Sequence, residues 1–298
     1  MRESRVELNE ELAKELDDEE RREKNKKVLK ILSFIFIPLF IIFTVSYVSL
    51  RYIGNIGIVV REYPIYSNIL PSSFDGIKIV QFSDIHYNQY SNLEIIDNTV
   101  SLINRTNPDI VIFTGDLIDN DYEITMEEKE YIISKFMEID VSIGKYSIKG
   151  EEDSENFDYI FSNSKFEIID NSVKNIYKDE SYIQLFALDN NYANYQSLKE
   201  KKEDVFSIVI THMPDNSDNI VELFNPNLIL AGHSHNGQIR LPFIGGVMKK
   251  ENAKIYIDSY YKIKETELFI SSGLGNSKYN FRLFNHPSIN FIRLKSAK

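Results

Sequence analysis

Along the chain, hydrophobic and polar positions fall into three regimes. Residues 1–27 are mostly charged, with Leu8, Leu12 and Leu16 at helical spacing, the pattern of a solvated helix or a disordered tail. From Ile31 to Leu50 the sequence reads ILSFIFIPLFIIFTVSYVSL, twenty residues without a charge. As a helix rising 1.5 Å per residue, this stretch spans roughly 30 Å, the hydrocarbon thickness of a bilayer. It lacks the polar stripe of a buried core helix, and VSYVSL offers no small-residue cleavage site of the kind that ends a signal peptide. The pattern predicts a transmembrane anchor over residues 28–50, in which Pro38 is tolerated.

After residue 51 the regime changes to short apolar runs rich in Ile and Val, each closed by a polar or glycine-rich turn. Gly76–Phe82 alternates and stops at Ser83-Asp84; Asp109–Thr114 stops at Gly115-Asp116. Phe206–Ile210 stops at Thr211-His212, Leu228–Leu230 at Gly232-His233, and Leu268–Ile270 at Ser271-Ser272-Gly273. Such runs read as buried strands. Asn92–Asn104 carries Leu93, Ile96, Val100 and Ile103 at helical spacing, so the first two strands and this helix form a βαβ unit. No repeat or low-complexity linker interrupts residues 51–298, which predicts one α/β domain. In such folds ligands bind beyond the carboxyl ends of the strands.

Charge adds an orientation. Arg21, Arg22, Lys24, Lys26, Lys27 and Lys30 precede the apolar segment and only Arg51 closely follows it. Cytoplasmic flanks carry the excess of Lys and Arg. Residues 1–27 are therefore expected as a cytoplasmic tail and 51–298 outside, in a single-pass arrangement. Net charge is -11, of which the part beyond residue 50 carries -10, so no nucleic-acid partner is expected. The chain has no cysteine, which excludes disulfides and thiol catalysis. Oligomeric state is not legible.

The candidate chemistry lies at the strand ends. Asp84-Ile-His86 places a carboxylate and an imidazole two residues apart, facing one way if the chain stays extended. Gly115-Asp116, Thr211-His212 and Gly232-His233-Ser-His235 follow in order, whereas His286, in FNHPS, reads as a surface loop residue. This ordered set resembles the calcineurin-like metallophosphoesterase family, and within it a bacterial, membrane-associated phosphohydrolase branch. The likeness extends from about Gly76 to the C-terminus, through LPFIGG at 241–246 and SSGLGNSKYNFRLFNHP at 271–287. It implies a four-layer α/β/β/α sandwich of two mixed sheets, here preceded by one transmembrane helix. It also implies two divalent ions, Mn, Fe or Zn with Mn favoured. Asp84, His86 and His235 then hold the first ion, His212 and His233 the second, and Asp116 bridges them. Such a pair lowers the pKa of a bridging water and clamps a phosphoryl oxygen for in-line attack.

One motif departs from the family. Where the family reads GNHD, this chain has Gly150-Glu151-Glu152-Asp153. Glu151 stands where an Asn ligand completes the second site, and Glu152 where a His assists the leaving group. An anion about 4 Å from a phosphate costs about 4 kcal/mol at an effective dielectric of 20. Two readings follow. One is a hydrolase of phosphoric esters, slower than its relatives, with Glu151 as ligand and Glu152 as a protonated acid. The other is a degenerate membrane protein that binds metal or phosphate without turnover. The substrate expected is a phosphodiester or lipid-linked diphosphate near the membrane surface. Lys149, Lys278 and Arg282 are the candidate phosphate-binding cations, or else solvated surface charges. Gly273-Leu-Gly275 is a candidate backbone anion cradle, or else a plain tight turn.

Overall fold

The computed structural model describes residues 2–89, 93–189, 195, 198, 204–276 and 281–297. The chain forms two compact units, Met1–Ser49 and Leu50–Lys298. Helix α1 (Arg2–Arg51) runs through the whole first unit, with Pro38 inside it. It contains an apolar stretch long enough to cross a membrane, and the side chains there, Phe34 and Phe40 among them, are exposed.

The second unit contains two six-stranded mixed sheets. The first has the order β1 (Val59–Ser67), β14 (Ser288–Ser296), β2 (Lys78–Phe82), β3 (Ile110–Thr114), β4 (Gly144–Ile148) and β5 (Glu167–Ile168). The second has the order β12 (Tyr260–Ile263), β13 (Thr266–Ile270), β9 (Leu228–Ala231), β8 (Ser207–Thr211), β7 (Ser181–Leu188) and β6 (Ser172–Lys178). β2, β3 and β4 are mutually parallel, as are β7, β8, β9 and β13. A small hairpin, β10 (Arg240–Leu241) with β11 (Gly245–Gly246), stands apart.

Strands β3 and β8 are buried along their whole length, which explains why they read as unbroken apolar runs. Ile79, Ile110, Ile112 and Ile148 of the first sheet pack on Leu185, Ile208, Ile210 and Leu230 of the second. Burial of each such side chain contributes about 1.5–3 kcal/mol. On the outer face of the first sheet lie α2 (Glu94–Thr106), α3 (Met126–Met137) and α4 (Glu155–Asn163). Helix α2 buries Ile96, Val100 and Ile103, the stripe its spacing predicted, and ends at Asn107 in the left-handed conformation. Helix α3 starts from a capping box of Thr125 and Glu128. Helix α5 (Ser217–Phe224) covers the second sheet with Ile220, Val221 and Phe224. The layers are therefore α/β/β/α, as the resemblance implied.

Candidate metal centre

The carboxyl ends of the parallel strands of both sheets meet at one edge. Asp84 and His86 follow β2, Asp116 follows β3, and Glu151 and Glu152 follow β4. His212 follows β8, and His233 and His235 follow β9. Asp84 and His86 do not reach this edge by extended alternation, as the sequence suggested. Asp84 (φ 51°), His86 (46°), Asp116 (61°), His233 (65°) and His235 (49°) all have left-handed backbone. Non-glycine residues seldom adopt it, at a cost of about 1–3 kcal/mol each, and sharp turns of this kind aim side chains back over the sheet edge. Cross-loop hydrogen bonds hold the turns, from Asp84 N to Gly115 O (2.9 Å), Ile85 N to Asp116 O (2.8 Å) and His233 N to Asp84 Oδ1 (3.0 Å).

The side chains gather into two buried groups, Asp84–His86–His235 and Asp116–His212–His233, each with its candidate donor atoms within 4.8 Å of one another. His86 Nε2 lies 3.0 Å from His235 Nε2, and His235 Nε2 lies 3.4 Å from Asp84 Oδ1. Asp116 Oδ2 is 3.1 Å from His212 Nε2 and 3.5 Å from His86 Nε2, so it faces both groups. Glu151 Oε1 stands 3.3 Å from His233 Nδ1, beside the second group.

The protonation of three rings follows from their partners. His86 Nδ1 meets Asp119 Oδ1 at 2.6 Å, His212 Nδ1 meets Thr114 O at 2.7 Å, and His233 Nε2 meets Glu251 O at 2.6 Å. A ring nitrogen facing such an acceptor carries the proton, which leaves a lone pair on the other nitrogen of a neutral imidazole. Those lone pairs point at one another and at Asp84 and Asp116. Among the described residues, the buried Asp116 Oδ2, His212 Nε2 and His233 Nδ1 have no partner with hydrogen-bond geometry. Acceptors packed against carboxylates call for positive charge between them, a proton or a cation. Burial opposes an imidazolium at His212, yet the Asp116 carboxylate outweighs it and raises the ring to about 10, so in the absence of a cation the charge there is a proton on Nε2. Burial and the charge of His212 hold His233 down to about 4, a neutral donor. Two carboxylates and four imidazoles in two adjoining groups fit divalent cations of the Mn, Fe and Zn class, one to a group.

The loop after β4 fits closely against this centre. A Cβ on Gly150 would collide with Asp116 Oδ1, so only glycine allows the approach. The Glu152 amide donates to Asp116 Oδ1 (3.0 Å), while its carboxylate accepts from Asn120 N (3.1 Å). Asp153 accepts from the amides of Asp116, Gly150 and Leu117, each at 2.8 Å, and so clamps two ligand loops together. Burial and the neighbouring Asp116 push Asp153 up to about 6.

Three residues at the site were missed in the sequence. Asp119 orients His86, and its signal was a second acid three residues after Asp116. Asp153 stood in the recognised motif without a role. Lys250 lines a cleft of about 1380 Å³ with Asp119, Glu151 and Glu152, and nothing in its local sequence set it apart. Its charge reaches His86, His233, His235 and Glu151. The same cleft extends along Ile56, Ile58, Ile95 and Leu102.

Two expectations are corrected. Arg282 is neither a phosphate ligand nor a surface charge. It is fully buried and donates to the carbonyls of Ser272 (2.9 Å), Gly273 (3.1 Å) and Gly275 (2.5 Å), shaping the glycine turn. Nor does that turn cradle an anion, because Leu274 N and Gly275 N donate to Asp84 O, at 3.1 and 2.8 Å. Lys149 pairs with Asp158 at 2.6 Å, and Lys278 lies outside the described residues. His286 is exposed, as expected.

Two sheets that present paired carboxylate–imidazole groups at a common edge define a divalent-metal hydrolase. Residues 77–237, just over half the chain, match the calcineurin-like phosphoesterase family, and this span holds every candidate ligand named above. The chain is 31% identical over 257 residues to the uncharacterized metallophosphoesterase YkuE of Bacillus subtilis, covering 83% of this chain and 89% of that protein. Similarity to the phosphodiesterase YaeI of Escherichia coli is 22% over 223 residues, 73% of this chain and 82% of that one. A transmembrane protein with metallophosphoesterase domain from Danio rerio is 24% identical over 250 residues, 76% of this chain. The chain spans 55% of that relative's length. This chain belongs to the calcineurin-like phosphoesterase family, metal-dependent hydrolases of phosphoric esters.

Proposed function

We propose that the chain hydrolyses a phosphodiester or a lipid-linked diphosphate presented at a membrane surface. The observation that carries this reading is the buried Asp116, whose Oδ2 faces both ligand groups at once. Asp84, His86 and His235 would hold one cation and His212, His233 and Glu151 the other, with Asp116 facing both. Divalent ions there, Mn favoured, would supply Lewis acidity toward water and phosphoryl oxygens. Asp119 fixes the ring of His86 and leaves its Nε2 as a donor. Glu152 lines the cleft, its amide donating to Asp116 Oδ1 (3.0 Å) and its carboxylate accepting from Asn120 N (3.1 Å).

Glu151 and Glu152 add negative charge where the family carries two neutral groups, and Lys250 offsets part of it. The cleft supports a membrane-side substrate. Its wall includes residues 55–58, which follow the end of α1 at Arg51 by only a few positions. With the tail 1–27 in the cytoplasm and residues 28–50 in the membrane, the domain 51–298 acts on the outer face.

The test is turnover of bis-nitrophenyl phosphate by the purified full-length protein with manganese. Replacing Glu151→Asn together with Glu152→His is expected to raise the rate by about 10²–10⁴-fold, the range of a well-matched acid–base group. Brisk wild-type turnover that the double change lowers overturns the charge argument. A protein that binds its ions fully but stays inert in both forms is the degenerate binder instead.

A further inference from the structure

The hairpin β10–β11 does no packing with its tip. Phe243 is 109% exposed and Ile244 73%, and Leu241 and Val247 beside them are also exposed. Phe284, 68% exposed, belongs to the adjacent segment, because Arg240 N donates to Leu283 O (2.9 Å) and Gln238 Nε2 to Phe281 O (3.0 Å). Both phenylalanines have left-handed backbone, at φ 68° and 50°. Such backbone is a genuine outlier for bulky residues, so these two rings are held outward at a conformational cost. A soluble surface gains nothing from that, and clustered exposed apolar groups mark an interaction site.

The position of the cluster indicates what covers it. Arg282 N donates to Leu50 O (2.9 Å), the last residue of the apolar run and the first of the second unit, so residues 281–284 and the hairpin paired to them lie at the start of this unit. Tyr52 and Ile56, just beyond, are exposed as well. The tip also carries no acid: residues 237–250 contain none, and Arg240 at its base is held by Asp258 (2.7 Å). Aromatic and aliphatic tips free of negative charge suit a lipid interface.

We propose that Leu241, Phe243, Ile244 and Phe284 form a second membrane contact, dipping into the interfacial zone of the bilayer that α1 crosses. This rests on the reading of α1 as an anchor. The hairpin is rooted in the His235-Asn236-Gly237 turn, where Arg240 Nη1 donates to Asn236 O (3.0 Å) and Oδ1 (2.7 Å). Interfacial docking of the tip therefore holds the metal centre at a fixed height over the lipid surface.

The absence of native cysteine makes the test direct. Full-length protein carrying Ile244→Cys is labelled with an environment-sensitive fluorophore and reconstituted into phosphatidylcholine–phosphatidylglycerol vesicles. Phe40→Cys serves as the anchor probe and Tyr177→Cys, exposed on the β6–β7 hairpin, as the remote probe. Phe284→Cys is a second reporter, so that one poorly folding variant does not decide the outcome. A nitroxide lipid labelled just below the headgroup is expected to quench most of the fluorescence at 244 and 284 and little at 177, while one labelled near the end of the acyl chain quenches 40, at the middle of the span. Quenching at 40 with none at 244 or 284 overturns the second contact and leaves the anchor intact. No quenching at 40 removes the anchor and the proposal together. Probes at 244 and 284 shielded from aqueous iodide yet untouched by the lipid quencher indicate a protein partner or a second copy, which also overturns it.

Discussion

The two sheets make unequal contributions to the centre. The first supplies its acids, Asp84, Asp116 and Glu151, and a single imidazole, His86. The second supplies imidazoles alone, His212, His233 and His235. The orienting partners differ too. His86 is steered by a side chain, Asp119, whereas His212 and His233 are steered by backbone carbonyls of Thr114 and Glu251. Each ligand group draws on both sheets, so neither half is a metal site until the Ile-rich interface between them has formed. The first sheet brings all the carboxylates of the candidate centre, and the second brings only imidazoles.

That asymmetry is breakable by substitution. Asp116→Asn strikes the one carboxylate facing both groups and is expected to lose bound metal from both, with turnover falling about 10²–10³-fold. His233→Ala, on the second sheet, is expected to remove one ion and keep the other. Metal content per chain by mass spectrometry checks both; equal losses from the two variants break the comparison. Asp119→Asn is milder. It removes the steering carboxylate of His86 and is expected to weaken metal affinity about 10–100-fold with the fold unchanged. No equivalent change exists on the second sheet, where the acceptors are main-chain oxygens.

The smallest effect lies away from the centre, on the first sheet. Lys145 of β4 is buried and donates to Phe136 O (2.7 Å) and Ser164 O (2.8 Å), at the carboxyl ends of α3 and α4. Burial lowers its pKa from 10.5 to about 8. Between these values the unfolded chain binds more protons than the folded one, so this residue's contribution to stability rises with pH across that window. The stability of wild type relative to Lys145→Met is expected to grow as pH rises from 8 to 10. Thermal unfolding of both forms over that range measures it, and a constant difference shows an amine that stays solvated.

Legibility followed the range of the interactions. The strands β3 and β8, the α2 stripe and the apolar run in α1 were readable because burial periodicity is a local property of the chain. The seven candidate ligands were proposed because they follow the ends of strands and their order resembles a known family; the structure gathers them at one edge. The fluency stopped at residues that act through distant partners. Asp119 matters because of a ring after β2, Asp153 because of amides after the neighbouring strand β3, and Lys250 because it lines the cleft beside Glu151 and Glu152. Arg282 was misread because nothing local distinguishes a buried guanidinium from an exposed one.

By itself, the order of residues determined an α/β domain, the apolar segment ahead of it and the residue types offered at the strand ends; the four-layer sandwich was implied by the family resemblance. Periodicity and composition act on neighbours, so a single chain already contains them. Only the tertiary structure decided that Asp116 faces both groups, that Lys250 shares a cleft with Glu151 and Glu152, and that the segment paired to the Phe243 hairpin bonds to Leu50. Those are relations between segments up to two hundred residues apart, set by how two sheets pack and by left-handed turns that no local pattern announces.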